Sequence, residues 1–105
     1  MPYAFSNDMP VSKDMYTKLS DEIGDEPPKG LIVHLAFETK TGMRIVDVWE
    51  SEADFDRFGE ERMHPAMDRV LQSASITRES LGEPDWEDLK PVEVFGASIK
   101  KRRIA

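Results

Sequence analysis

Hydrophobic and polar positions follow one another along this chain in separate blocks, and each block predicts an element. Tyr3 to Asn7 reads as a short extended run ending in a polar Asp8-Met9-Pro10 turn. Ser12 is placed to cap a helix, with Val11 and Tyr16 at staple positions. Met15, Leu19 and Ile23 then recur at i, i+4 and i+8 until Gly24 supplies a stop. That spacing predicts an amphipathic helix. Asp25 to Gly30 contains Pro27-Pro28 and is a connector, because paired prolines lack donors and restrict the residues before them. Leu31 to Glu38 and Met43 to Glu50 are rich in β-branched and aromatic residues and flank Thr39-Lys40-Thr41-Gly42, which predicts a β-hairpin. With Thr41-Gly42 as the turn, Phe37 opposes Val46, Leu35 opposes Val48 and His34 opposes Trp49. One face is then Val33, Leu35, Phe37, Val46 and Val48; the other is Ile32, His34, Ala36, Ile45, Asp47 and Trp49.

Ser51-Glu52-Ala53-Asp54 has a capping-box pattern and opens a second helix, whose stripe of Phe55, Phe58 and Arg62 or Met63 runs to a break at His64-Pro65. Met67, Val70 and Leu71 carry a further helical stretch. Ser73 to Lys90 is polar and reads as loop with a turn near Trp86, and Val92 to Phe95 as the last strand. The order β-α-β-β-α-β, with right-handed crossovers, is a ferredoxin-like α+β sandwich with both helices on one face of a four-stranded antiparallel sheet. Since both faces of the hairpin carry large apolar groups, the bare face is expected to meet a second copy in a homodimer.

Composition narrows the classes. A chain of 105 residues holds one domain, here residues 1–98, followed by a basic segment 99–105 containing Lys100, Lys101, Arg102 and Arg103 that reads as a solvated tail. Charged residues make up 33% and no apolar run exceeds three, so neither a membrane span nor a secretory signal is expected and the chain reads as cytoplasmic. The absence of cysteine excludes disulfides, thiolate nucleophiles and iron–sulfur clusters. A formal charge of −7 argues against nucleic acid as a partner.

Candidate chemistry gathers on one face of the hairpin. His34, on a central strand near Asp47 and opposite Trp49, has the placement of a base or a group that holds a substrate hydroxyl. Its alternative role is structural, as a hydrogen-bonded partner of Asp47. Trp49 is suited to stack a planar ligand, although such residues more often belong to a core. Ile45 shares the face. His64, at the helix break, could fold over a cavity mouth, but a surface position is its simpler reading. Tyr16, Phe55, Phe58 and Met67 lie at helical spacing and read as core that would also wall any cavity. Two histidines without a nearby third ligand do not make a metal site, so no metal and no cofactor are assigned.

The stretch from Gly30 to Met67, GLIVHLAFETKTGMRIVDVWESEADFDRFGEERMHPAM, resembles the dimeric α/β-barrel superfamily and, within it, small proteins grouped with the antibiotic biosynthesis monooxygenases. The likeness is carried by His34, Gly42, the Val46 to Ser51 strand-to-helix junction, Phe55, Phe58 and Pro65. It implies a cavity between sheet and helices where Trp49 matches a Trp ending the third strand and Asn7 is placed to match an Asn on the first. The second helix has Phe58-Gly59 where several members carry a His, so haem ligation is not implied. The resemblance implies a cofactor-independent monooxygenase acting on a small aromatic or polyketide-like substrate. The alternative is a non-catalytic dimer that holds a small apolar ligand or none.

Overall fold

Ser12 and Gly24 bracket the first helix as the pattern predicts. The Ser12 hydroxyl accepts the Met15 N–H at 3.1 Å, and the Gly24 N–H closes on the Ser20 carbonyl at 3.1 Å. The structure is a computed structural model and describes residues 1–97 and 99–101. Its elements run β1 (Tyr3–Met9), α1 (Lys13–Ile23), β2 (Leu31–Thr39), β3 (Gly42–Trp49), α2 (Glu52–Phe58), a π-helical turn (Gly59–Met63), α3 (His64–Ser73), α4 (Arg78–Leu81) and β4 (Asp85–Leu89). The strands form one antiparallel sheet in the order β2-β3-β1-β4, the ferredoxin-like arrangement expected from the sequence.

The alternation of burial along β3 fixes which face the helices cover. Met43, Ile45, Asp47 and Trp49 are buried, while Arg44 is exposed and Val46 and Val48 are only partly covered. Above the covered face, α1 and α3 pack through Leu19, Ala66 and Val70, with Met9, Met15, Ile23, Met63 and Met67 around them. The opposite face is bare and leaves Leu35 and Phe37 45% and 48% exposed.

The hairpin faces are as expected, but the register is not. Lys40 and Thr41 form the turn, Thr39 pairs with Gly42, Phe37 with Arg44, Leu35 with Val46, and His34 with Asp47 rather than Trp49. Gly42 is needed elsewhere. Its φ is +155°, and a Cβ there would strike the Met9 carbonyl, so the glycine serves the close approach of β1 instead of the turn. Because the displacement is two residues, parity survives and the side chains from Val33 to the turn keep their faces. Ile32 is displaced by a bulge between Leu31 and Val33, and Leu31 opposes Trp49.

Three further boundaries differ from the sequence pattern. β1 runs on through Asp8 and Met9, because Asp8 pairs with Arg44 on the neighbouring strand and receives its guanidinium at 2.7 and 3.1 Å. Pro65 does not end a helix. It stands in the first turn of α3, where its missing N–H is not needed, and the chain widens into the π turn just before it, the His64 N–H reaching Gly59. The last strand is Asp85–Leu89, not Val92 to Phe95, and α4 lies within the stretch read as loop. β4 is an edge strand that hydrogen-bonds only to β1, so one anchor suffices. Trp86 pairs with Asn7 and packs on Phe5 and Phe55 while acidic neighbours face solvent. In the basic tail, Lys101 bonds the Ser20 and Gly24 carbonyls at 3.0 and 3.2 Å at the C-terminal end of α1. Ser98 and residues 102–105, with Arg102 and Arg103, lie outside the described residues.

Two surface carboxyls tie stability to acid. The Arg44 guanidinium holds Asp8 below the usual carboxylate range, and Arg57, then Ser51, do the same for Asp54 at the start of α2. For a lowered carboxyl, the stabilisation is present above the unfolded pKa and is lost as pH falls through the folded one. Urea melts of an Asp8→Asn/Asp54→Asn variant should therefore show a flatter acid limb than wild type below about pH 4, with little difference in that slope at neutral pH.

Candidate functional site

Residues 47 and 49 point to the same side of β3, and that parity builds the site. The Trp49 Nε1–H donates to Asp47 Oδ2 at 3.1 Å. Across the strand pair, His34 Nδ1 meets Asp47 Oδ1 at 2.6 Å. Asp47 is buried, whereas the His34 side chain remains 38% exposed because β2 is the sheet edge. From α1, the Tyr16 hydroxyl reaches His34 Nε2 at 2.7 Å, with the two rings nearly parallel, 13° apart. An ionised carboxylate only accepts hydrogen bonds. The Nδ1 of His34 therefore carries the hydrogen, Nε2 presents a lone pair, and Tyr16 donates to it; this tautomer is assigned from the network. The result is a continuous chain Tyr16–His34–Asp47–Trp49, with its acidic end sealed and its phenolic end toward the surface.

The other residues singled out from the sequence divide into three groups. Ile45 and Asn7 are buried on the same side of the sheet as Asp47, and the Asn7 Oδ1 has no hydrogen-bond partner among the described residues. Phe55 and Phe58 close over Trp49, with ring centroids 5.6 and 5.3 Å from it, and Trp49 is left only 1% exposed. Met67 packs in the α1–α3 core, and His64 is exposed on α3 beside Gly59, away from His34. The pattern missed two features. Tyr16 leaves the expected core stripe to bond His34, a contact that depends on how α1 lies against the sheet. Tyr3, Phe5 and Trp86 form an aromatic cluster with Phe55, and the alternation of Tyr3 and Phe5 was its one visible signal. Burial, then the acidic neighbours Asp88, Glu52 and Asp56, push the Tyr3 phenol above its ordinary value.

Two concavities lie elsewhere. One of about 510 Å³ runs between the connector after α1 and α2, lined in part by Asp54, Arg57, Phe58 and Arg62; another of about 490 Å³ opens near Arg44 and Trp86. Neither is lined by His34 or Trp49. Among the described residues no cluster of three or more His, Asp or Glu is arranged to hold a metal ion. No helix among them is long and apolar enough to cross a membrane.

No protein-family model and no curated protein matches the sequence. Solved structures do match the fold. The chain is similar to the structure of Rv0793 from Mycobacterium tuberculosis, with a TM-score of 0.61 at 14% identity over 91% of this chain and all (100%) of that one. It is similar to an antibiotic biosynthesis monooxygenase at a TM-score of 0.57 and 10% identity, covering 89% of this chain and 100% of the other. A candidate antibiotic biosynthesis monooxygenase from Deinococcus radiodurans aligns at 0.51 and 12% identity, covering 93% and 99%. The chain therefore has the ferredoxin-like α+β fold of the antibiotic biosynthesis monooxygenase structures, in agreement with the Gly30 to Met67 resemblance. At such identities the likeness defines the fold and leaves the reaction to the site.

The network ranks two substitutions. Asp47→Ala leaves the sealed Trp49 N–H without an acceptor and should cost about 3 kcal/mol or more. His34→Ala opens a gap at the sheet edge that water can fill, and should cost about 1 to 2 kcal/mol. Urea denaturation of both variants checks the order, and equal losses would contradict it.

Proposed function

We propose that the chain is a small enzyme of the cofactor-independent monooxygenase type, in which His34 serves as the base for a phenolic or enolic aromatic substrate. The observation that carries this reading is the imidazole of His34, held at 2.6 Å by a buried carboxylate on one side, met by the Tyr16 hydroxyl at 2.7 Å on the other, and 38% exposed at the sheet edge. A buried Asp behind a His fixes its tautomer and steadies the imidazolium that forms when a proton arrives. The unpartnered Asn7 Oδ1 supports the reading further, because a buried acceptor left alone costs about 1 to 3 kcal/mol unless a ligand hydroxyl bonds it. Once its proton is removed, an electron-rich phenolate reacts with dioxygen directly. One oxygen atom enters the ring, the other leaves as water, and the ring becomes a quinone, so no outside reductant is consumed. In this reading Ile45, Phe55 and Phe58 wall the aromatic body, with Trp49 beneath them; Met67 and His64 stand farther off.

With 1-naphthol as probe, the protein should take up one dioxygen per naphthoquinone formed, and His34→Ala should slow this at least about a hundredfold. The second reading, a module that binds without reacting, draws on the near-complete sealing of Trp49 by Phe55 and Phe58. It predicts saturable naphthol binding with no oxygen uptake.

We also propose a homodimer through the bare sheet face, because Val33, Leu35, Phe37, Val46 and Val48 form an apolar surface that the helices leave uncovered. Light scattering should give twice the 12.0 kDa chain mass. Phe37→Glu should yield monomer, and a wild-type monomer at micromolar concentration would contradict the assignment.

A further inference from the structure

Val92 to Phe95 is made of strand-forming residues, yet its own chain leaves it uncovered. Val92 and Phe95 are 100% and 98% exposed, Val94 and Ile99 are exposed with them, and among the described residues no backbone hydrogen bond engages 91–97. The segment is nevertheless tied at both ends. Leu89 before it pairs with Ala4 in β1, and Lys101 after it bonds the Ser20 and Gly24 carbonyls at the end of α1. Its apolar side chains thus stand outward on a loop whose two ends the chain holds.

A second element also lacks a neighbour. β2 is a nine-residue strand at the sheet edge, and His34 to Glu38 are all exposed. It is apolar on both sides, with Leu35 and Phe37 on the bare face and Ala36 beside His34 on the other. A long apolar edge with open backbone groups is a template for a further strand. We propose that this strand is Val92 to Phe95 of a second copy, each chain of the dimer adding its segment to β2 of the other. The exchange rests on the homodimer proposed above and specifies how that dimer closes.

The faces, the topology and the charge of the segment all fit this occupant. Successive residues of a strand point to opposite sides, so Val92 and Val94 share one face and Phe95 takes the other, apolar on both as β2 is. In the order β2-β3-β1-β4, β2 and β4 are opposite edges. A two-fold axis along the strands, with the bare faces together, sets β4 of one copy beside β2 of the other, where the segment leaves β4. Residues 90–105 carry five basic side chains and one acidic, a charge of +4, which leaves −11 on the rest of a chain of −7. Two such acidic bodies repel, and a basic segment laid on the partner offsets that repulsion. The exchange also bears on the site. A strand added outside β2 brings a side chain of the second copy beside His34, which a single chain leaves open at the sheet edge.

The chain has no cysteine, so introduced pairs report without background. Leu35→Cys, Ala36→Cys or Phe37→Cys protein is mixed with Val92→Cys or Val94→Cys protein, allowed to exchange subunits, and oxidised. At least one mixture should give a disulfide-linked species of twice the chain mass that neither component gives alone. Val92→Ser/Phe95→Ser, whose side chains touch solvent in the single chain, should raise the dimer Kd at least about tenfold by light scattering and leave the circular dichroism of the fold unchanged. If wild type is a dimer but no mixture links and the Kd is unmoved, the exchange is overturned and the homodimer stands. If Phe37→Cys/Val94→Cys closes a disulfide within one chain, the segment serves its own β2 and the exchange is again overturned. A wild-type monomer at micromolar concentration would overturn the exchange and the homodimer together.

Discussion

One buried carboxylate organises this molecule. Asp47 sits on the covered face of the sheet with each oxygen committed, one to the indole of Trp49 and the other to the imidazole of His34. Burying a carboxylate is costly unless hydrogen bonds repay the lost hydration, and here two donors from one strand and its neighbour do so. The pairing constrains more than itself. It holds Trp49 under Phe55 and Phe58, and it holds His34 where Tyr16 can cap it from α1. A local solvation requirement thus links the edge strand, the central strand and the first helix.

The same constraint explains what was legible in the sequence. The alternation of Ile45, Asp47 and Trp49 set them on one face whatever the register, which is why a hairpin paired two residues out still brought His34, Asp47 and Trp49 together. The direct partner of His34 was not legible, since it depends on where the turn closes. Gly42 misled there because glycine looks the same in sequence whether it makes a turn or makes room for the Met9 carbonyl. β4 was hidden for a related reason. Its residues Asp85 to Leu89 lack apolar alternation, and the strand exists because β1 offers an edge and Trp86 packs against the Phe5–Phe55 pair. The π turn before Pro65 and the reach of Tyr16 are likewise tertiary facts, decided by packing rather than by local pattern.

Fold and chemistry also separate cleanly. The ferredoxin-like sheet explains why one face is covered and the other is bare, and the matched structures share that plan. The chain from Tyr16 to Trp49 is made by particular side chains on that plan, and the proposed reaction draws on His34 and Asp47 within it.

The tautomer of His34 is the most direct test. The Tyr16–His34–Asp47 network requires hydrogen on Nδ1, shared with Asp47, and an unprotonated Nε2 that accepts from Tyr16. Nitrogen-15 NMR of the labelled imidazole at about pH 8, where an ordinary histidine is neutral, reads this without any substrate. The expected spectrum shows a protonated Nδ1 with a strongly downfield proton resonance, lost in Asp47→Asn. A neutral ring with its hydrogen on Nε2 would contradict it.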